Sequence, residues 1–233
     1  MNEGSDPISY PDTDWSKLML KSNPVIHNHS VGISGGNELA RFSVNGNYLY
    51  QDGLTYKRDY ERFSFRANTG ITLTKNVSMQ LDLVANRSRN RSELVRFGNS
   101  LHLVYSTPPN VVPKYPLKEN GYQAYGNFGE MMNPMAELER GGYAQNKSDQ
   151  ININFQPVWQ ITPQLKLRGQ YLYRVNSNGY LDNRNSYNFL DYYTNNLVFT
   201  YGNSKGSSVG RSTYNYISSN IEFSNTFDKH YVY

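Results

Sequence analysis

The chain has 233 residues, a net charge of +4 and no cysteine, which excludes a disulfide framework and a thiolate metal site. Only 37% of the residues are hydrophobic, although tyrosine contributes 21 residues and glycine 18. The mean hydropathy of -0.71 excludes a bundle of membrane-spanning helices, and the scattered basic residues form no patch of the kind that binds nucleic acid.

Residues 1–24 are a polar lead-in segment, and from residue 25 onward the sequence has the period-two alternation of β-strands. In the segment that begins at Ala40, Phe42 and Val44 alternate with Arg41 and Ser43. Seven such segments begin near Val25, Ala40, Arg62, Val77, Ile151, Leu165 and Tyr216. The pattern predicts an all-β, antiparallel chain with strands longer than the about 5–6 residues of an ordinary globular protein.

The connections between these segments alternate between short and long. The predicted tight turns are Gly35-Gly36-Asn37-Glu38, Lys75-Asn76, Thr162-Pro163-Gln164 and Asp228-Lys229. A modest loop surrounds Asp52-Gly53, and long loops span about 89–146 and 177–210. Tight turns at one rim and long loops at the other are typical of an up-and-down transmembrane β-barrel, with lipid on the apolar face and a wet lumen on the polar face. Residues 25–233 are therefore predicted to be part of such a barrel.

The first long loop contains its own helical pattern. Leu94, Phe97, Leu101 and Val104 recur at steps of three and four residues, which predicts a short helix near Glu93–Tyr105. The helix must end before Pro108-Pro109, because proline disfavours helical geometry in the preceding residue.

No motif of an enzyme is present. Asp82, Glu93, Glu130, Glu137 and Glu139 lie in no hydrolase-like motif, and no phosphate-binding glycine loop is found. His27 and His29 have the spacing of a two-histidine metal pair, but no third ligand lies near them in sequence. We therefore predict no catalytic, cofactor-binding or metal-binding residue.

Several short stretches resemble SusC/RagA-type TonB-dependent outer-membrane transporters. They are Tyr10-Pro11-Asp12-Thr13-Asp14-Trp15, Asn28-His29-Ser30-Val31, Ser34-Gly35-Gly36-Asn37 and Asn47-Tyr48-Leu49-Tyr50-Gln51-Asp52-Gly53, followed in the long loop by Pro108-Pro109, Asn120-Gly121-Tyr122 and Asn133-Pro134. Each stretch is weak by itself, but the ordered set is fairly specific and covers nearly the whole chain.

The resemblance implies seven to eight strands of a barrel of about twenty-two. The signal sequence, the plug domain, the segment that contacts the TonB complex and the rest of the barrel would lie outside this sequence. We therefore expect the chain to be inactive alone. The resemblance also implies nutrient import across a bacterial outer membrane, with an oligosaccharide or peptide substrate and a SusD-like surface lipoprotein as partner.

Two sets of residues are candidate contacts. The loop aromatics are candidates for ligand or partner binding, because exposed rings stack on sugars and anchor interfaces: Phe97, Tyr105, Tyr115, Tyr122, Tyr125, Phe128, Tyr192 and Tyr193. The candidates for the lumen face are Arg41, Arg62, Arg66, Arg168 and Arg174. The alternative function is a soluble all-β module for carbohydrate binding or adhesion, in which the apolar strand faces would meet in a dry interior.

Overall fold

A computed structural model describes residues 6–94, 100–127, 133–227 and 230–232. Seven long strands form one antiparallel sheet: β1 (Ile26–Gly36), β2 (Ala40–Asp52), β3 (Asp59–Thr74), β4 (Val77–Glu93), β5 (Gly142–Gln160), β6 (Leu165–Arg184) and β9 (Ser204–Phe223). Two small hairpins accompany it, β7 (Tyr187–Leu190) with β8 (Leu197–Tyr201), and β10 (Asn225–Phe227) with β11 (His230–Val232). The helices are α1 (Trp15–Met19), α2 (Ser100–Ser106) and α3 (Pro134–Arg140).

The sheet has up-and-down topology, since each strand pairs with the next long strand along the chain. Three of the predicted tight turns are confirmed at one rim. The first is closed by a bond from the Asn37 amide to the Ala40 carbonyl at 2.7 Å, and the others join β3 to β4 and β5 to β6. The fourth, Asp228-Lys229, lies outside the described residues.

The register places the two alternating residue sets on opposite faces. One cross-strand row of the apolar face joins Ile33, Val44, Ala67, Leu83, Ile153 and Tyr173. The neighbouring row on the polar face joins Asn45, Arg66, Val84, Asn152 and Arg174. No second layer covers the apolar face among the described residues, and Val31 and Ile217 are 71% and 77% exposed. This uncovered face does not fit the soluble sandwich alternative, which needs a dry interior.

The apolar face changes character toward the rim opposite the tight turns. Phe65 and Ile151 lie in the last row that is apolar across β3, β4 and β5. The next row carries Phe63 together with an ion pair between Arg87 and Asp149 at 2.6 Å. The row beyond it carries Arg89, which is paired with Glu61 on β3. Charged side chains are costly within hydrocarbon, so this change of composition sets the upper limit of an apolar belt. No helix in the described ranges is long and apolar enough to cross a membrane.

The strands extend further toward the loops than their patterns suggested. β4 pairs with β5 as far as Glu93 and Tyr143, and β6 pairs with β9 as far as Arg184 and Ser204. The connections are therefore 94–141 and 185–203, shorter than the predicted 89–146 and 177–210. The helix expected near Glu93–Tyr105 is described from Ser100 onward and ends at Ser106, while Glu93 itself belongs to β4.

Candidate functional site

Four segments meet at the rim opposite the tight turns, and we call them together the loop assembly: the lead-in with α1, residues 53–58, residues 94–141 and residues 185–203. The lead-in is attached to the first long loop. Trp15 is buried and its indole nitrogen donates to the Pro108 carbonyl at 3.0 Å, while the Thr13 amide donates to the Pro109 carbonyl at 2.8 Å. Around Trp15 pack Met19, Val104, Val111 and Leu138. The buried apolar core of the chain therefore lies mostly in its loops.

Asn133 joins three parts of the first long loop. Its side chain is 1% exposed, and its amide nitrogen donates to the Val112 and Gly126 carbonyls, each at 3.0 Å. Its oxygen accepts from the amides of Met135 and Ala136, which makes it the N-cap of α3. Asparagine before proline is a helix-start signal, but the two cross-loop bonds have no sequence signature.

A buried carboxylate fastens residues 53–58 to the top of β4. Glu93 accepts bonds from the hydroxyls of Thr55, at 2.8 Å, and Ser100, and Arg58 lies 3.6 Å from its second oxygen. On the other side of this short loop, Lys57 donates to the Leu138 carbonyl, and burial lowers the pKa of Lys57. Glu93 therefore has a structural role, because it holds residues 53–58 against β4. The sequence indicated only that Glu93 lies in no catalytic motif.

The two long loops share an aromatic core. Tyr125 packs with Ala136, Phe189 and Tyr201 and is only 3% exposed, and its hydroxyl donates to Glu139 at 2.7 Å. The ring and hydroxyl of Tyr125 are thus occupied inside the protein, and its contact with a ligand stays a prediction. Burial also raises the pKa of Tyr187, whose hydroxyl donates to Glu137.

The buried Tyr125 predicts a loss of loop packing in alkali. Burial, followed by the bond to Glu139, raises its pKa from 10.0 to about 12. Above pH 10 a detached Tyr125 ionises while the packed one stays neutral, so loop stability should fall between pH 10 and about 12. Tyrosinate absorbance should reveal one more late-titrating group in the wild type than in Tyr125→Phe. A wild type without this group would contradict the prediction.

A second tyrosine cluster lies on the surface of the loop assembly. The rings of Tyr115 and Tyr192 stack at 4.2 Å between centroids and 5° between planes, and Tyr193 meets Tyr192 edge-on at 5.2 Å. The Lys118 ammonium lies 5.0 Å from the centre of the Tyr192 ring and donates to the Tyr192 carbonyl at 2.6 Å. Tyr193 is 69% exposed, so the cluster presents an exposed aromatic ring near a cation. We call these four residues the tyrosine platform.

The other predicted loop contacts are dispersed. Tyr105 is 73% exposed on α2, away from the platform in sequence and with no ring contact among the described residues. Tyr122 is half-buried. Its hydroxyl donates to the Asn188 carbonyl at 2.8 Å and accepts from the Leu190 amide. Phe97 and Phe128 lie outside the described residues. Lys118 was not singled out from the sequence, since a lone lysine in a loop carries no signal.

The predicted arginines all lie on the polar face of the sheet. Arg41 and Arg168 line a cavity of about 440 Å³ near the tight turns. Arg62 lines another of about 370 Å³ nearer the loop assembly. Arg66 and Arg174 share one cross-strand row. The five arginines thus share one face of the sheet, and their position in a lumen stays a prediction.

Comparisons with known proteins fit this architecture. The chain is 27% identical to TonB-dependent receptor P26 of Formosa agariphila over 157 residues, which are 65% of this chain and 14% of that protein. It is 30% identical to TonB-dependent receptor P3 of the same organism over 161 residues, or 67% of this chain and 16% of that protein. The chain is thus similar to TonB-dependent receptors. It spans about a seventh of the length of those relatives, and no family model matches it.

Solved structures contain the same fold as this chain. It superposes on the RagAB peptide importer in the closed-closed state with a TM-score of 0.71 and 18% identity, covering 97% of this chain and 25% of that one. The open-open state gives a TM-score of 0.68 and 17% identity, over 98% and 25%. The resemblance to the SusC/RagA type and the fold, part of an antiparallel up-and-down β-barrel, are both confirmed.

Proposed function

We propose that the chain forms part of the barrel wall of a TonB-dependent importer in the bacterial outer membrane. Its loop assembly would receive an oligosaccharide or peptide together with a SusD-like surface lipoprotein. The observation that carries this proposal is the sorting of the chain: tight turns at one rim, a packed loop assembly at the other, and one polar face between them. A solute that enters at the loop assembly meets the polar face along its whole path.

Two further observations support the proposal. The tyrosine platform offers rings at the entrance, and exposed aromatic rings with a neighbouring cation suit sugar rings and interface anchors. The apolar belt below the charged rows suits contact with hydrocarbon, whose thickness in such barrels is about 25 Å. The names of the relatives describe receptors and a peptide importer, which supports a transport role rather than an enzymatic one.

Uptake by cells that carry the complete gene product tests the proposal. Accumulation of a labelled nutrient should require both this gene and TonB, because the energy comes from the inner membrane. Tyr193→Ala should reduce uptake by several-fold at limiting substrate, because a stacked aromatic ring contributes about 1 kcal/mol to the binding free energy. Tyr10→Ala, which removes an equally exposed ring from the lead-in, is the matched control.

Uptake that persists without TonB would refute the importer assignment. Equal uptake by the Tyr193→Ala and wild-type proteins would refute only the role of the platform. Purification of the complete gene product from native membranes should also recover a lipoprotein partner, and the Tyr193→Phe variant should retain it.

A further inference from the structure

The polar face of the sheet is strongly basic. By strand register it carries the basic residues Arg41, Arg62, Arg66, Lys166, Arg168, Arg174 and Arg184, and the acidic residues Asp82, Asp182 and Glu222. The excess of positive charge on this one face equals the net charge of +4 of the entire chain. A wall of one sign focuses its field into the space that it borders, so this face attracts anions.

Of the three acidic residues on this face, only Asp182, near the loop end of β6, lies in its upper part. Glu222 is held near the tight turns by Arg168, at 2.8 Å, and Lys166, at 3.8 Å. Asp82 accepts bonds from the amides of Gln80 and Asn154. In the described part of the chain, no ion pair involves Arg62, Arg66 or Arg174. These three, which we call the free arginines, therefore keep their charges available.

One of the free arginines lines a groove, and the other two lie in the cross-strand row next to it. The cavity of about 370 Å³ has Arg62 in its lining, and its floor contains the amides of Asn86, Gln150 and Asn176 and the hydroxyl groups of Ser88 and Ser148. Arg66 and Arg174 belong to the next cross-strand row toward the tight turns, about 14 Å apart across three strand spacings. Arg174 is oriented by a bond to Asn152 at 2.8 Å.

The lining of the groove selects a chemical class. Amide and hydroxyl groups both donate and accept hydrogen bonds, as the hydroxyl groups of a sugar do. No apolar side chain lines the groove, so it offers no pocket for the hydrophobic side chains of a peptide. Guanidinium groups bind carboxylates through two parallel hydrogen bonds, which favours an acidic ligand.

The position of the groove along the strands favours binding of a solute from outside the cell over contact with the plug domain. The groove lies in the rows of Asn86 and Ser88, at the level where the opposite face changes from apolar to charged at Arg87. It is thus in the half of the sheet nearer the loop assembly. A ligand that passes the tyrosine platform reaches the free arginines before the paired charges near the tight turns.

We propose that this groove binds the acidic units of an anionic oligosaccharide, with sugar carboxylates on the free arginines and sugar hydroxyl groups on the amide floor. The inference rests on the importer function proposed above and assigns its substrate class.

Binding to the purified complete gene product in detergent tests the assignment without requiring transport. The probes are an oligogalacturonate, a neutral galacto-oligosaccharide of equal length and a glutamate-rich peptide. We expect the oligogalacturonate to bind at least about tenfold more tightly than the neutral sugar at low salt, with a smaller ratio at high salt. Arg66→Gln and Arg174→Gln should each weaken only the acidic sugar, by about tenfold. Arg87→Gln, on the opposite face, is the matched control.

Equal binding of both sugars, or unchanged binding by both glutamine variants, would overturn the assignment. Tighter binding of the glutamate-rich peptide than of either sugar would refute the part of the assignment that makes the ligand an oligosaccharide. Should a glutamine variant fail to fold, Arg66→Lys and Arg174→Lys keep the charge and must retain the preference for the acidic sugar. If TonB-dependent uptake fails while the purified protein still prefers the acidic sugar, only the importer function is refuted. If uptake occurs but the purified protein has no preference for the acidic sugar, only the substrate class is refuted.

Discussion

Replacing Asn133 with alanine should loosen the packing within the first long loop. The change removes two donors to backbone carbonyls and the N-cap of α3 from a site that is 1% exposed. With about 1 kcal/mol for each lost bond and a similar cost for the cap, the loop should lose roughly 3 kcal/mol. Limited proteolysis should then cut within residues 107–141 while the strands remain protected.

Two variants separate the contributions of Asn133. Asn133→Ser keeps an acceptor for the cap but loses the donors to Val112 and Gly126, so it should show about two thirds of the effect. Asn120→Ala, whose side chain bonds only the exposed amide of Tyr122, should leave the cleavage pattern unchanged. Resistance of Asn133→Ala equal to that of the wild type would refute the role of this side chain.

Replacing Gly142 with alanine should prevent the top of β5 from pairing with β6. Gly142 has a φ of 100°, and a Cβ atom there would lie 1.9 Å from the Asn183 carbonyl oxygen. That oxygen belongs to backbone and cannot move like the end of a flexible side chain, so the strand end must shift. We expect a cost of about 3 kcal/mol or more, from the positive φ and the clash together. The midpoint of urea unfolding of the refolded complete gene product in micelles should fall.

Gly179→Ala is the matched control in the adjacent strand. Its Cβ would meet nothing within 4 Å and its φ is ordinary, so the added methyl should be neutral or slightly stabilising. A similar loss for both variants would mean that alanine is harmful in this sheet generally, and not through the geometry of Gly142.

The period-two pattern carried most of the information about the sheet. In β3, the alternation of Phe63 and Phe65 with Arg62 and Arg66 placed the side chains on the correct faces, because side chains alternate strictly along a strand. The ends of the strands could not be predicted from this pattern. β4 continues past Arg89 with polar residues on both faces, and β5 continues beyond Asn146 with Gln145, Ala144, Tyr143 and Gly142, so no period-two alternation marks the extension.

The loop assembly was the least predictable part of the molecule. Its contacts join residues far apart in sequence, such as Trp15 with Pro108 and Tyr115 with Tyr192. Aromatic composition indicated that the loops carry interaction surfaces, but it could not separate the buried Tyr125 from the exposed Tyr193. That distinction depends on how two loops pack together, and no local pattern records it.

The shared core of the loop assembly restricts how such a protein diverges. Tyr125, Phe189 and Tyr201 come from two loops, and Asn133 bonds across one of them, so an insertion or deletion in either loop would break contacts made by both. We therefore expect related chains to differ in exposed side chains such as Tyr193, while the lengths of both loops stay the same.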